Sequence, residues 1–303
     1  MILFQQMIIM FFYMMVGYCA RKKGYLGESA GATISWIVVN IANPAMIISS
    51  VINGESVIAG RELMNTVVLA CIMFAILILL AEILPKMFRT EGKTRSAYKV
   101  MTVFNNIGFM GFPVIAAAYG EEALLYAAIF VLPYNVLFYT YGIAVTQSGQ
   151  EKKGSKLKQI FNLGTIASIL AIILYLTQIP VHNMIKTCME SLSGLTSSLS
   201  MFVIGISLSS MKIRELFTDF KLMGYSMIKL LLIPIAGTLI ASNFIQSQML
   251  LNVFMIMLAT PAGAMTAMLA QEYDGDYPLA SRAVALTTLL SVVTIPIVSA
   301  IVF

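Results

Sequence analysis

Asn105-Asn106-Ile107-Gly108-Phe109-Met110-Gly111-Phe112-Pro113 lies in the middle of one apolar run, and Thr260-Pro261-Ala262-Gly263 lies in the middle of another. Neither stretch suits an uninterrupted α-helix, because proline lacks an N–H and crowds the preceding turn while glycine weakens helix interiors. In hydrocarbon, an unsatisfied backbone N–H or C=O costs several kcal/mol. Unwound backbone therefore survives there only where protein, water or a ligand satisfies it. One such break in each half of a chain is the pattern of carriers built from inverted repeats, whose substrate site lies between the breaks.

The composition around these stretches sets the class. Of 303 residues, 59% are hydrophobic and 11% charged, with a mean hydropathy of +0.88; a soluble domain carries about 25% charge. The chain reads as an all-α polytopic membrane protein with ten apolar segments, each near the roughly 20 residues that a bilayer core requires. They cover approximately residues 2–20, 30–52, 63–84, 98–118, 122–146, 160–179, 188–210, 221–241, 249–271 and 279–302.

No basic residue precedes the first segment and Arg21-Lys22-Lys23 follow it, the opposite of a cleavable signal peptide. The odd-numbered loops hold Arg21, Lys22 and Lys23; Lys86, Arg89, Lys93, Arg95 and Lys99; Lys152, Lys153, Lys156 and Lys158; Lys212, Arg214 and Lys221; and Arg282. The even-numbered loops hold only Arg61 and Lys186. By the positive-inside rule the odd loops are cytoplasmic and both termini extracytoplasmic. Insertion topology thus accounts for the net charge of +5, and a nucleic-acid partner has no support.

Ten segments divided into two sets of five place the second set upside down relative to the first. This predicts a repeat over residues 1–147, a cytoplasmic linker at 148–158 and an inverted repeat over 159–303. The turn Ala118-Tyr119-Gly120-Glu121-Glu122 resembles Glu272-Tyr273-Asp274-Gly275-Asp276. Aligned on these turns, Gly108 falls opposite Ala262 and Ile107 opposite Pro261. At about 1.5 Å rise per residue, both breaks lie near the centre of a core roughly 30 Å thick.

Half-helices starting at such breaks direct free N–H groups and a positive dipole end at the crossing, which favours an anionic ligand. Candidate binding residues are Asn105, Asn106, Gly108, Gly111 and Pro113 in the first break and Thr260, Pro261, Ala262 and Gly263 in the second. Lys229 lies about 12 Å into its segment and either balances the ligand's charge or snorkels toward the cytoplasmic face. Asn43, Asn135, Ser197 and Ser198 either line a substrate path or hydrogen-bond between helices. Glu82 lies near a segment end beside Pro85-Lys86 and reads as interfacial.

Other chemistries fail on spacing. Gly92-Lys93-Thr94 lacks the earlier glycine of a phosphate loop, since Met87 holds that position, and no strand precedes it. Glu272, Asp274 and Asp276 lack the spacing of a calcium loop. Asn43-Pro44-Ala45 has no second copy. Cys19, Cys71 and Cys188 are scattered and His182 is alone, so neither a metal site nor a disulfide is expected. No nucleophile with a partnered base is visible, so the chain reads as no enzyme and without a cofactor. Sodium remains open as a coupling ion, since carbonyls and Asn or Ser side chains could hold it.

The runs NNIGFMGFPVIAAAYGEEAL and LATPAGAMTAMLAQEYDGD, with KLLLIP in the eighth segment, resemble the auxin efflux carrier family, and the resemblance covers essentially the whole chain. It implies a fold similar to bile-acid sodium symporters. Segments 1, 2, 6 and 7 would form a scaffold, and 3 to 5 and 8 to 10 a mobile core that slides like an elevator within a homodimer. It also implies organic-anion substrates, such as auxin in plants and malate or malonate in bacteria. Asn105, Gly108, Gly111 and Pro113 match the family's first crossover and Pro261 its second, where no matching Asn is present. The short loop between segments 5 and 6 is similar to that of bacterial members, which sit in the cytoplasmic membrane. The expected function is a carrier of small carboxylates. A channel with half-helices as its constriction and a ligand sensor are the alternatives.

Overall fold

The computed structural model describes residues 2–27, 29–52, 60–147, 163–210 and 216–303, and these form helices and turns without a strand. In chain order the helices are α1 (Ile2–Lys22), α2 (residues 30–52), α3 (Gly60–Met87), α4 (Gly92–Val103), α5 (Ile107–Tyr119), α6 (Glu121–Thr146), α7 (Leu163–Thr177), α8 (Asn183–Ser209), α9 (Phe220–Ala241), α10 (Gln248–Ala259), α11 (Ala264–Glu272) and α12 (Tyr277–Val302). Among them α2, α3, α6, α8, α9 and α12 are long and apolar enough to cross a membrane. The α4/α5 and α10/α11 pairs occupy the two interrupted apolar runs. The linker expected at 148–158, with its four lysines, and Lys212 and Arg214 lie outside the described residues.

Proline shapes several long helices. Wide turns at Val38–Ala42, Ile107–Gly111 and Ile228–Leu232 each end two residues before a proline, at Pro44, Pro113 and Pro234. In each, the next N–H reaches five residues back: Asn43 to Val38, Phe112 to Ile107 and Ile233 to Ile228. A proline ring crowds the carbonyl four residues behind it, and widening the turn relieves that contact while keeping most of the ladder. α8 begins before its apolar run because the His182 ring caps it, accepting a hydrogen bond from Met184 N–H at 3.2 Å.

The outer surface is apolar. On α3, Val68, Ile72, Ile76, Leu79 and Ile83 recur at helical spacing with exposures of 48 to 64%, and Leu163, Ile166, Leu170, Ile173 and Leu176 do so on α7. Stripes of this size are unfavourable in water and suit acyl chains. The chain is a multi-pass membrane protein.

Inside this surface the helices pack in two groups. α1 lies along α8, and α2 lies against α7 and α8. In the second group α3 packs on α4 and α6, α9 on α10, and α12 on α4, α9, α10 and α11. The groups meet where α6 touches α7, α1 touches α12, and α5 rests on α1 and α8.

Loop contacts tie the helix ends together. Lys93 Nζ lies 2.7 Å from Asp274 and Thr94 donates to Asp276 at 2.7 Å, joining the start of α4 to the turn between α11 and α12 at one end. Ser49 at the end of α2 donates to Glu121 at the start of α6, at the other end.

Candidate functional site

α4 ends where Phe104 becomes extended, with φ −102° and ψ 95°. α10 ends at Thr260 in the same manner, with φ −64° and ψ 147°. The two extended segments run antiparallel and pair. Asn106 N–H donates to Pro261 O at 2.8 Å, Gly263 N–H donates to Phe104 O at 2.9 Å, and Asn105 and Ala262 form a single bridge between them. Each break thus satisfies backbone groups that the other leaves open, as the low dielectric demands. The strands approach so closely that a Cβ on Gly263 would meet Asn105 O at 3.1 Å and Phe104 O at 3.2 Å.

The pairing centres three residues from the Gly108/Ala262 register suggested by the acidic turns. α5 after the first break is longer than α11 after the second. Aligning on the turns that follow them therefore displaces the breaks. With Asn105 opposite Ala262, the second break has no amide side chain at that place.

Asn105 is buried at the centre of the crossing. Its Nδ2 donates to Met257 O at 2.7 Å and to Leu258 O at 3.3 Å, carbonyls that the end of α10 leaves open. Its Oδ1 accepts from Lys229 Nζ, which also donates to Thr102 O at 3.4 Å. Lys229 is 2% exposed, so it does not snorkel. Thr287 on α12 completes the inner layer: its Oγ1 accepts from Ala262 N–H at 3.1 Å and donates to Ala283 O at 2.6 Å. Phe104 packs edge-on against Tyr134 and Phe138, with centroids 5.4 and 5.1 Å away.

The other side of the crossing is less satisfied. Asn106 caps α5, its Oδ1 accepting from Phe109 N–H at 3.3 Å, while its Nδ2 is buried without a partner among the described residues. Gly108 faces Asn43, whose Nδ2 would lie 3.3 Å from an added Cβ and whose Oδ1 also has no partner among the described residues. α8, which packs on the wide turn of α2 and on the start of α5, carries Thr196 and Ser200, buried and likewise unpaired. Buried polar atoms are normally hydrogen-bonded, and groups of exceptions mark places for water or a ligand. The N–H groups of Gly108, Ala264 and Met265 at the starts of α5 and α11 find no acceptor among the described residues.

The structure therefore brings together Asn105, Asn106, Gly108, Thr260, Pro261, Ala262, Gly263 and Lys229, with Asn43 across from Gly108. Gly111 lies behind the turn, with Thr260 Cγ2 3.6 Å from where its Cβ would be, and Pro113 is buried at the start of the regular α5 helix. Asn135 sits elsewhere, donating to Thr165 at 2.8 Å between α6 and α7. Ser197 and Ser198 are half-buried on α8 beside the fully buried Thr196 and Ser200. Sequence reading missed Thr102, Thr196, Thr287 and Tyr225, whose hydroxyl lies 3.1 Å from that of Thr102, as parts of this region, because a lone hydroxyl in an apolar helix commonly bonds its own backbone. A separate polar cleft of about 440 Å³ opens at the loop end, bounded by Arg89, Glu91, Tyr98, Asp219, Lys221 and Arg282. It lies at the end marked by the Thr94 to Asp276 contact and contains neither break.

Residues 2–299 match the sequence profile of the family described as membrane transport protein. The chain belongs to that family. It is the auxin efflux carrier family that the two crossover motifs resemble. An uncharacterized transporter of Methanothermobacter thermautotrophicus is 25% identical over 285 residues, 93% of each chain. An uncharacterized transporter of Methanocaldococcus jannaschii is 26% identical over 300 residues, 95% of each chain. Both alignments take in the two breaks and every helix between them.

A valine at position 287 keeps the shape and removes the acceptor of Ala262 N–H. Leaving that buried donor unpaired costs about 1–3 kcal/mol. Thr287→Val is expected to melt several degrees below wild type, with Thr287→Ser near wild type, in a thermal-unfolding series on detergent-purified protein.

Proposed function

We propose that this protein is a carrier of small organic anions, such as carboxylates, working by alternating access across the cytoplasmic membrane. Membership in a membrane transport family gives the class. The observation that carries the finer reading is on the unsatisfied face of the crossing: among the described residues Asn106 Nδ2 is a buried donor without a partner where the two helix groups meet. A carboxylate there would accept from Asn106 Nδ2 and from the free N–H groups at the starts of α5 and α11, whose dipoles favour negative charge. Lys229, hydrogen-bonded to Asn105 behind the pairing, supplies a positive field without occupying the site.

In this reading the ten apolar segments form two inverted repeats, with α1, α2, α7 and α8 as scaffold and α3 to α6 and α9 to α12 as the moving core. The core would slide on the scaffold like an elevator in each protomer of a homodimer, with both termini outside the cell. A polar surface at the junction of the two groups supports the arrangement, because sliding exposes such groups to water on each side in turn.

Counterflow in proteoliposomes tests the proposal. Unlabelled malate, malonate or indole-3-acetate is loaded inside and entry of the same labelled compound is followed. Transient accumulation is expected for at least one anion, and Asn106→Ala is expected to cut its initial rate about tenfold through the loss of one charge-assisted hydrogen bond. Flux without accumulation identifies a channel, and binding without flux a sensor; either result ends the carrier reading.

A further inference from the structure

We propose that Lys229 is the resident cation of the crossing: its ammonium holds the oxygen-lined position that a coupling cation takes in broken-helix carriers, so the crossing assembles without sodium. Helix C-termini expose carbonyls and the negative end of the dipole, and in such carriers unwound carbonyls and half-helix C-termini coordinate the coupling ion. Here the end of α4 contributes Thr102 O and the extended segment contributes Asn105 Oδ1, and Lys229 Nζ donates to both. Asn105 extends the same arrangement to the end of α10, since its Nδ2 donates to Met257 O and Leu258 O. One ammonium thereby joins the negative ends of both first half-helices through one amide.

The charges of the neighbourhood agree. No Asp, Glu, His, Arg or second Lys occurs between residues 222 and 271, between 100 and 120, or from 283 to 303. Of the elements packed around the wide turn Ile228–Leu232, α10 carries no charge, α9 carries otherwise only Lys221 in its first turn and α12 only Arg282 near its start, and α4, which supplies Thr102 O, carries Lys93, Arg95 and Lys99; all of these are cations. The ammonium's partners are therefore oxygen dipoles and not a carboxylate. Tyr225, one turn away on α9, shares a 3.1 Å hydrogen bond with Thr102 and leaves the Thr102 carbonyl to Lys229. A free cation at this place would need the same oxygens that the tethered one already occupies.

The test reads stability first, so its outcome is separate from that of the carrier proposal on which only its flux consequence rests. Wild-type protein in detergent is melted in sodium chloride and in choline chloride at equal concentration. The two melting temperatures are expected to agree within about 1 °C, whereas a bound ion at 100 times its Kd would raise one by several degrees. A saturable rise specific to sodium overturns the inference. Lys229→Ala is expected to melt roughly 5 °C or more below wild type in choline and to regain at least about half of that loss in methylammonium chloride, which refits the vacated position. Lys229→Met, which fills the volume without charge, is expected to stay low in both salts. Equal melting of Lys229→Ala in choline and methylammonium overturns the inference. If neither variant folds, the wild-type comparison decides alone. Counterflow, if present, is expected at the same rate in choline as in sodium, and absent counterflow in every salt ends the carrier proposal while the melting series still decides this one.

Discussion

Asn105→Ala is expected to abolish counterflow and to lower the melting temperature by roughly 5 to 10 °C. The amide makes three hydrogen bonds at once: it donates to Met257 O, donates to Leu258 O and accepts from Lys229. Alanine removes them all. Leu258 O then loses its partner, Met257 O keeps only Thr260 Oγ1 and the ammonium keeps only Thr102 O, at about 1–3 kcal/mol for a neutral group left unpaired and more for the weakened cation. Set against a total stability of about 5–15 kcal/mol, the fold is expected to survive in detergent with its pairing loosened. In the proposed carrier, transport suffers more, because a shift of about 1 Å in the half-helix starts would misdirect the N–H groups proposed to hold the anion. Asn105→Asp separates the roles: it keeps an acceptor for Lys229 and loses the donor, so it is expected to recover stability without recovering rate. Wild-type counterflow in Asn105→Ala would remove Asn105 from the machinery of the crossing.

Asn106→Ala provides the contrast. Its Oδ1 accepts one backbone hydrogen bond and its Nδ2 has no partner. Its loss is expected to lower the rate with a melting change of only a few degrees. A large stability loss in Asn106→Ala with little change in rate would reverse the assignment of binding and structural roles between the two asparagines.

The breaks were legible because hydrophobic runs of membrane length rarely contain Gly and Pro together, and the cost of open backbone in hydrocarbon makes such runs informative. Their pairing partners were not legible, since an antiparallel bridge depends on where each helix unwinds, and α5 and α11 differ in length. Lys229 stood out as a lone charge, yet its direction toward Asn105 is set by the wide turn ahead of Pro234, which periodicity does not reveal. Asn43 and Asn135 looked alike in sequence. One lies against Gly108 with an unpaired oxygen and the other ties α6 to α7 through Thr165, a distinction only packing makes.

Gly205→Ala is expected to eliminate most of the monodisperse protein, a severe outcome for one methyl group. A Cβ at Gly205 would lie 1.8 Å from Met14 O and 2.8 Å from Tyr18 N, and a Cβ at Gly17 would lie 2.1 Å from Phe202 O. All of these are backbone atoms, so no rotamer change relieves the overlap, and α1 and α8 must separate. Small residues allow such close approach, and in a membrane the resulting van der Waals contact replaces the hydrophobic drive that lipid does not provide. α8 also forms the wall that faces the start of α5, so its displacement would widen the region where Asn43 and Asn106 lie. Gly111→Ala is the control: its Cβ would meet Ile107 at 3.5 Å, ordinary van der Waals contact, and it is expected to keep its monodisperse peak and melt within about 2 °C of wild type. Size-exclusion profiles of the two variants side by side decide the matter. A Gly205→Ala variant that elutes and melts like wild type would place α1 and α8 farther apart, and α8 would then no longer be fixed against the crossing.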